Sequence, residues 1–147
     1  MKRKICKTLS CIVIVSLLFV TAPLVCCAEE YPQPDLTISA VVHRAGLMQN
    51  WHLANVWVWN IGDWPADSGF TTRILLNEVG GRSKILVDFV HPIGIPVGLF
   101  YLIAHPFYLS NDPPRQYYLS AYTDYFNDID ESNENNNGWV NSDTFWA

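Results

Sequence analysis

Fourteen residues from Asp124 to Asn137, DYFNDIDESNENNN, carry five carboxylates and five asparagines. Asp124, Asp128, Asp130, Glu131 and Glu134 are hard oxygen donors. With the Asn carbonyls they have the composition of a Ca2+ site, which takes about six to eight oxygens. The spacing departs from an EF-hand loop: Asp128-x-Asp130-x-Ser132 begins one, but Asn133 stands where glycine is required and Trp139 where the bidentate glutamate belongs. The same residues suit a second role, a chain reversal. Asp, Asn and Ser side chains bond to nearby backbone amides, Asn tolerates positive φ, and Phe126 and Ile129 can bury beneath them. A carboxylate pair for acid–base catalysis is the third use of such a stretch.

No other motif supplies catalytic machinery. The chain has no G-x-S-x-G, no H-E-x-x-H and no glycine-rich phosphate loop. His43, His52, His91 and His105 never fall at the short spacings of a metal site, so each is expected at the surface or in a loop, and zinc is not expected. These absences point to a non-enzymatic protein.

A second constellation is aromatic. In Leu53-Ala54-Asn55-Val56-Trp57-Val58-Trp59-Asn60 both parities are apolar, unlike a sandwich strand whose outer face meets water. With Val56 and Val58 inward, Trp57 and Trp59 stand outward on one sheet surface, about 6.5 to 7 Å apart along the strand. Such a ladder can bury against a partner protein or a second copy, or stack on a glycan. The alternative is that the chain's own segment from Pro92 to Pro114 covers the rings, or that the parity is reversed. By the same parity Tyr118 and Tyr122 extend an outward surface on a later strand.

The elements that must position these groups are strands. Beyond Glu29 apolar residues recur with period two in short runs bounded by Gly, Pro, Asn and Asp. The runs predict strands at Asp35 to His43, Leu53 to Asn60, Phe70 to Asn77, Ser83 to Val90, Leu99 to Ile103, Gln116 to Thr123 and Trp139 to Phe145. No window has a capped 3.6-residue stripe. About seven short strands argue for an all-β, immunoglobulin-like antiparallel sandwich. Prolines interrupt 91–114 repeatedly, which predicts an edge strand and irregular loops there.

Residues 1–28 read as a secretory signal peptide, leaving 29–147 as one domain. Lys2, Arg3, Lys4 and Lys7 precede an apolar run, Leu9 to Val20, too short to span a bilayer, and Cys26 and Ala28 sit at −3 and −1 of a cut before Glu29. A lipid anchor at Cys27 is the competing reading. All four cysteines lie in this leader, so the exported domain has no disulfide and relies on its core. It also keeps five basic residues (Arg44, Arg73, Arg82, Lys84, Arg115) against all fourteen acidic ones, a net charge of −9 that repels nucleic acid.

Three stretches together resemble a known family. Pro34-Asp35-Leu36 opens the first strand; Val58-Trp59-Asn60-Ile61-Gly62 is followed by Ala66 and Phe70; and Asp124-x-x-Asn127-x-Ile129-x-Glu131-Ser132-Asn133-Glu134-x-Asn136-Asn137 closes the pattern. In these residues the chain is similar to CARDB domains, the cell adhesion related domains found in bacteria, over Pro34 to about Asn137. The fit lapses between Pro92 and Pro114. The resemblance implies an immunoglobulin-like seven-stranded sandwich on extracellular proteins. The expectation is therefore a secreted or cell-surface binding or adhesion module that contacts a surface protein or itself. A structural subunit of a surface assembly and a glycan-binding module are the alternatives. Ca2+ is the one cofactor in view.

Overall fold

Period-two patterning becomes eight strands in two antiparallel sheets in the computed structural model, which describes residues 31–46, 48–110 and 113–147. The expected signal peptide and Cys27 lie outside the described residues. The strands are β1 (Leu36–Ala45), β2 (Trp51–Asn60), β3 (Thr71–Glu78), β4 (Ser83–Val90), β5 (Phe100–Tyr108), β6 (Gln116–Tyr122), β7 (Gly138–Val140) and β8 (Phe145–Trp146). One sheet has the order β1-β2-β5; the other runs β4-β3-β6-β7, with β8 also paired to β6. Among the described residues there is no helix.

Side chains of alternating parity fill the space between the sheets. Leu36, Ile38, Val56, Val58, Ile74, Leu76, Leu119 and Ala121 are buried there with Phe70 and Ile103. A register shift between Ile38 and Ala40 inserts one extra residue into β1, so the inward parity changes and Val41 joins Leu36 and Ile38 in the core.

Two expectations about the strands are corrected. The fifth continues past Ile103 to Tyr108, through Pro106. β5 lies at the edge of its sheet, where a residue without an N–H leaves no ladder bond unmade. The last predicted strand is two short pieces, β7 and β8, both on β6.

The Val58–Gly62 motif has a physical reason. Asn60, fully buried, accepts at Oδ1 from the N–H of Asp35 (3.2 Å) and of Gly62 (3.1 Å). Its Nδ2 donates to the carbonyls of Trp64 (2.8 Å) and Ile95 (2.9 Å). One side chain thus ties the start of β1 to two loops. Gly62 completes the joint, because a Cβ there would meet the Gln33 carbonyl oxygen and the Asp35 nitrogen at 2.5 Å.

His91 lies in the loop after β4, as expected, but is wholly buried, stacked on Phe70 (4.0 Å between ring centres) with Phe89 and Tyr101 edge-on, and its Nε2 lies 2.9 Å from the Thr72 hydroxyl. Burial holds its pKa down at about 4. His43 and His52 depart from expectation: they lie in β1 and β2, His52 is buried, and its Nδ1 is 2.8 Å from His43 Nε2. Adjacent aromatic residues at 89 and 101 complete a ring cage that a proline-rich neighbourhood does not advertise.

Candidate functional site

The acidic stretch forms the β6–β7 connection and clasps the start of β1. Asp124 takes φ 42° and Asn127 φ 58°, and the Asn127 N–H donates to the Asp124 carbonyl (2.9 Å), which closes a tight turn. Both Asp124 carboxylate oxygens then accept backbone N–H groups, from Asp128 (2.9 Å) and Ile129 (3.0 Å). Further on, Asn136 donates to Asp35 (2.7 Å) and accepts from the Thr37 hydroxyl (3.0 Å), while the Ser132 N–H donates to the Pro34 carbonyl (2.9 Å). These bonds explain why Pro34-Asp35-Leu36 and the closing motif occur in one chain: they are two halves of one joint.

Glu131 is the centre of that joint. It is buried, its carboxylate accepts the N–H of Leu36 and that of Asn137 Nδ2 (2.9 Å), and burial pushes its pKa up to about 7 against the pull of those two donors. Glu134 and Asp124 push it the same way. Oxygen atoms of Asp124, Glu131 and Glu134 all lie within 4.8 Å of one another. Asp128 and Asp130, the other two proposed cation ligands, are exposed and stand outside that group. Phe126, expected to bury, is exposed, and the Arg73 guanidinium lies 5.6 Å from its ring and 3.7 Å from that of Tyr125. Ile129 packs against the core as expected.

The aromatic ladder sits on the outer face of the three-stranded sheet. Val56 and Val58 are fully buried between the sheets, and Trp57 and Trp59 are half-buried on the opposite side of β2. Trp57 is opposite Ala40 and Leu102, and Trp59 opposite Thr37 and Phe100. Trp59 packs on Phe100 at 4.8 Å between ring centres. The segment from Pro92 supplies the adjacent strand and lies beside the indoles. Tyr118 and Tyr122 do not join this surface: β6 belongs to the other sheet, so they look out on the far side of the sandwich, where Arg73 pairs with Asp88 at 2.7 Å.

β5 brings residues that sequence reasoning missed. Phe100, Leu102 and Tyr108 are 48%, 44% and 55% exposed, and Trp51 lies edge-on to Tyr108 at 5.9 Å. The signal was present as alternation at 100, 102, 104, 106 and 108, but the prolines masked it. At the Trp51 end Met48, Leu53 and Pro106 help line an open depression of about 350 Å3. β1, β2 and β5 contain no Asp or Glu in strands of ten, ten and nine residues. Arg44 is the one formally charged side chain among them.

No protein-family model matches this chain, and no curated protein does. Solved structures are similar in fold. A CARDB domain from Pyrococcus furiosus, solved in complex with di-metal ions, matches 78% of this chain and 86% of its own length at 20% identity, with a TM-score of 0.53. A structure assigned to an ApaA protein of Bordetella pertussis covers 78% of this chain and 93% of its own at 15% identity and a TM-score of 0.45. The expected architecture holds: the described chain has the immunoglobulin-like sandwich fold of a CARDB domain.

Proposed function

We propose that the domain is a non-enzymatic binding module of the cell surface or secreted space, and that it docks protein partners on the outer face of the β1-β2-β5 sheet. The observation that carries this reading is the absence of carboxylates from that face in a domain that carries fourteen of them. A sheet face exposed only to water alternates apolar-in with polar-out, whereas here Trp57, Trp59, Phe100 and Leu102 occupy the outward positions. Large aromatic residues flanked by neutral ones are the usual anchors of protein interfaces.

The test is binding of labelled residues 29–147 to envelope protein from the source cell, compared with the Phe100→Ser/Leu102→Ser variant. Both side chains are about half exposed, so the variant keeps its core. Loss of binding at an unchanged melting temperature is the expected result; equal binding by the variant overturns the reading.

A second reading, Ca2+ in the closing loop, is supported by the convergence of Asp124, Glu131 and Glu134. It ranks below the first because five of those six carboxylate oxygens already accept hydrogen bonds from the chain itself.

A further inference from the structure

We infer that the occupant of the outer β1-β2-β5 face is a second copy of this chain, packed sheet on sheet. The inference rests on the reading of that face as the docking surface and adds the identity of its partner.

Charge selects the partner. Residues 29–147 carry fourteen carboxylates against five basic side chains. Two copies that meet through the acidic loop set carboxylates against carboxylates at short range, which is destabilising in proportion to their burial, and through the far sheet they would bury the Arg73–Asp88 and Arg115–Glu78 ion pairs. Through β1, β2 and β5 they set none, because those strands contain no Asp or Glu. For a domain this acidic, self-contact on this face is free of like carboxylate pairs and buries no ion pair.

Pattern and size agree with that choice. β2 is apolar at both parities, as strands are when covered on both sides. Three strands of about this length make a plane of roughly 30 by 14 Å, or about 400 Å2. The relief of its Trp, Phe and Leu side chains raises the accessible area toward the about 800 Å2 per partner of a standard interface. The face is also self-complementary along its length. Phe100, about half exposed, stands against the half-buried Trp59 at one end of β2, and the depression lined by Met48, Leu53 and Pro106 lies at the other. A two-fold axis lying in the interface across the strands brings the ring pair of each copy over the depression of the other.

The experiment is analytical sedimentation of residues 29–147, which hold every described strand, from about 1 μM to about 1 mM, the range in which a surface of this size associates. The chain is run beside Leu102→Glu, and beside Val90→Glu as a control on an exposed position of the other sheet. Wild type and Val90→Glu are expected to dimerise, and Leu102→Glu to weaken the dimer ten-fold or more. Added salt should tighten the wild-type dimer by screening the remaining charge. Leu102→Thr serves if the glutamate variant fails to fold. A monomer throughout the range overturns the inference, as does a dimer indifferent to Leu102. A monomer whose envelope binding is lost in Leu102→Glu also overturns it, but leaves the docking face standing; a chain in which Leu102 affects neither self-association nor envelope binding removes both.

Discussion

The carboxylate of Glu131 accepts the backbone N–H of Leu36, ninety-five residues earlier in the chain. Leu36 is the first residue of β1 and is fully buried, so without Glu131 its N–H has no water to turn to. This one bond couples the closing loop to the entry of the fold.

Glu131→Ala should therefore cost about 1 to 3 kcal/mol, the cost of leaving a buried donor unpaired. Glu131→Gln keeps an acceptor for Leu36 and should retain most of the stability. Urea unfolding with an unchanged m-value measures the difference; equal midpoints for Ala and wild type would remove Glu131 from the joint.

Asn60 supports four hydrogen bonds with one side chain. Asn60→Leu strands two backbone N–H groups and two carbonyls while adding apolar volume where there is no space for it. The expected loss is about 3 to 5 kcal/mol, at the exceptional end for a single substitution. Thermal unfolding followed by circular dichroism reads it. Ser83→Ala, which removes a bond to the buried Asn77 near an exposed turn, should cost about 1 kcal/mol in the same assay.

Acid should destabilise the domain through His91. Its pKa is about 4 folded against 6.5 unfolded, so between those values the unfolded chain binds more protons. Stability from this residue is fully present above pH 6.5 and is lost as pH falls toward 4, by at most about 3 kcal/mol. His43, held down to about 4 by burial and by His52, acts in the same direction. Glu131, whose pKa is raised, opposes them as pH rises from 4.5 to 7. His91→Phe keeps the ring stack on Phe70, lacks the proton site, and should show a shallower fall in urea midpoint between pH 7 and pH 5; a slope equal to wild type would contradict the assignment.

Cation dependence separates the two roles of the closing loop. If hydrogen bonds alone hold it, the melting temperature is the same in Ca2+ and in chelator. A ligand bound only by the folded state must raise it. We expect no change; a rise with Ca2+ that Glu134→Gln abolishes would establish the cation reading, and Glu134 is exposed enough for that substitution to leave the fold intact.

Most strands were legible because period two is a local property of the chain. β4 lies where its run of residues predicts, and β3 and β6 within one residue of it. The inward valines and outward indoles of β2 followed from parity once a sandwich was assumed. β5 was harder, since Pro106 is a strand breaker except at a sheet edge, and which strand lies at an edge is decided by pairing between distant segments. The loop position of His91 was legible, but its burial was not, for a related reason. A lone histidine carries no sign of the rings that enclose it.

The sequence by itself determined the class of the fold, the acidity of the domain and the composition of its closing loop, all of which depend on residue type and near-neighbour spacing. Only the tertiary structure decided which of five carboxylates converge, that Glu131 meets Leu36, and that Trp57 and Trp59 share a face with Phe100 and Leu102 and not with Tyr118 and Tyr122. Those facts depend on which strands pair and which sheet each one joins. Sheet membership is set by the burial of the whole core, and no short window of residues contains it.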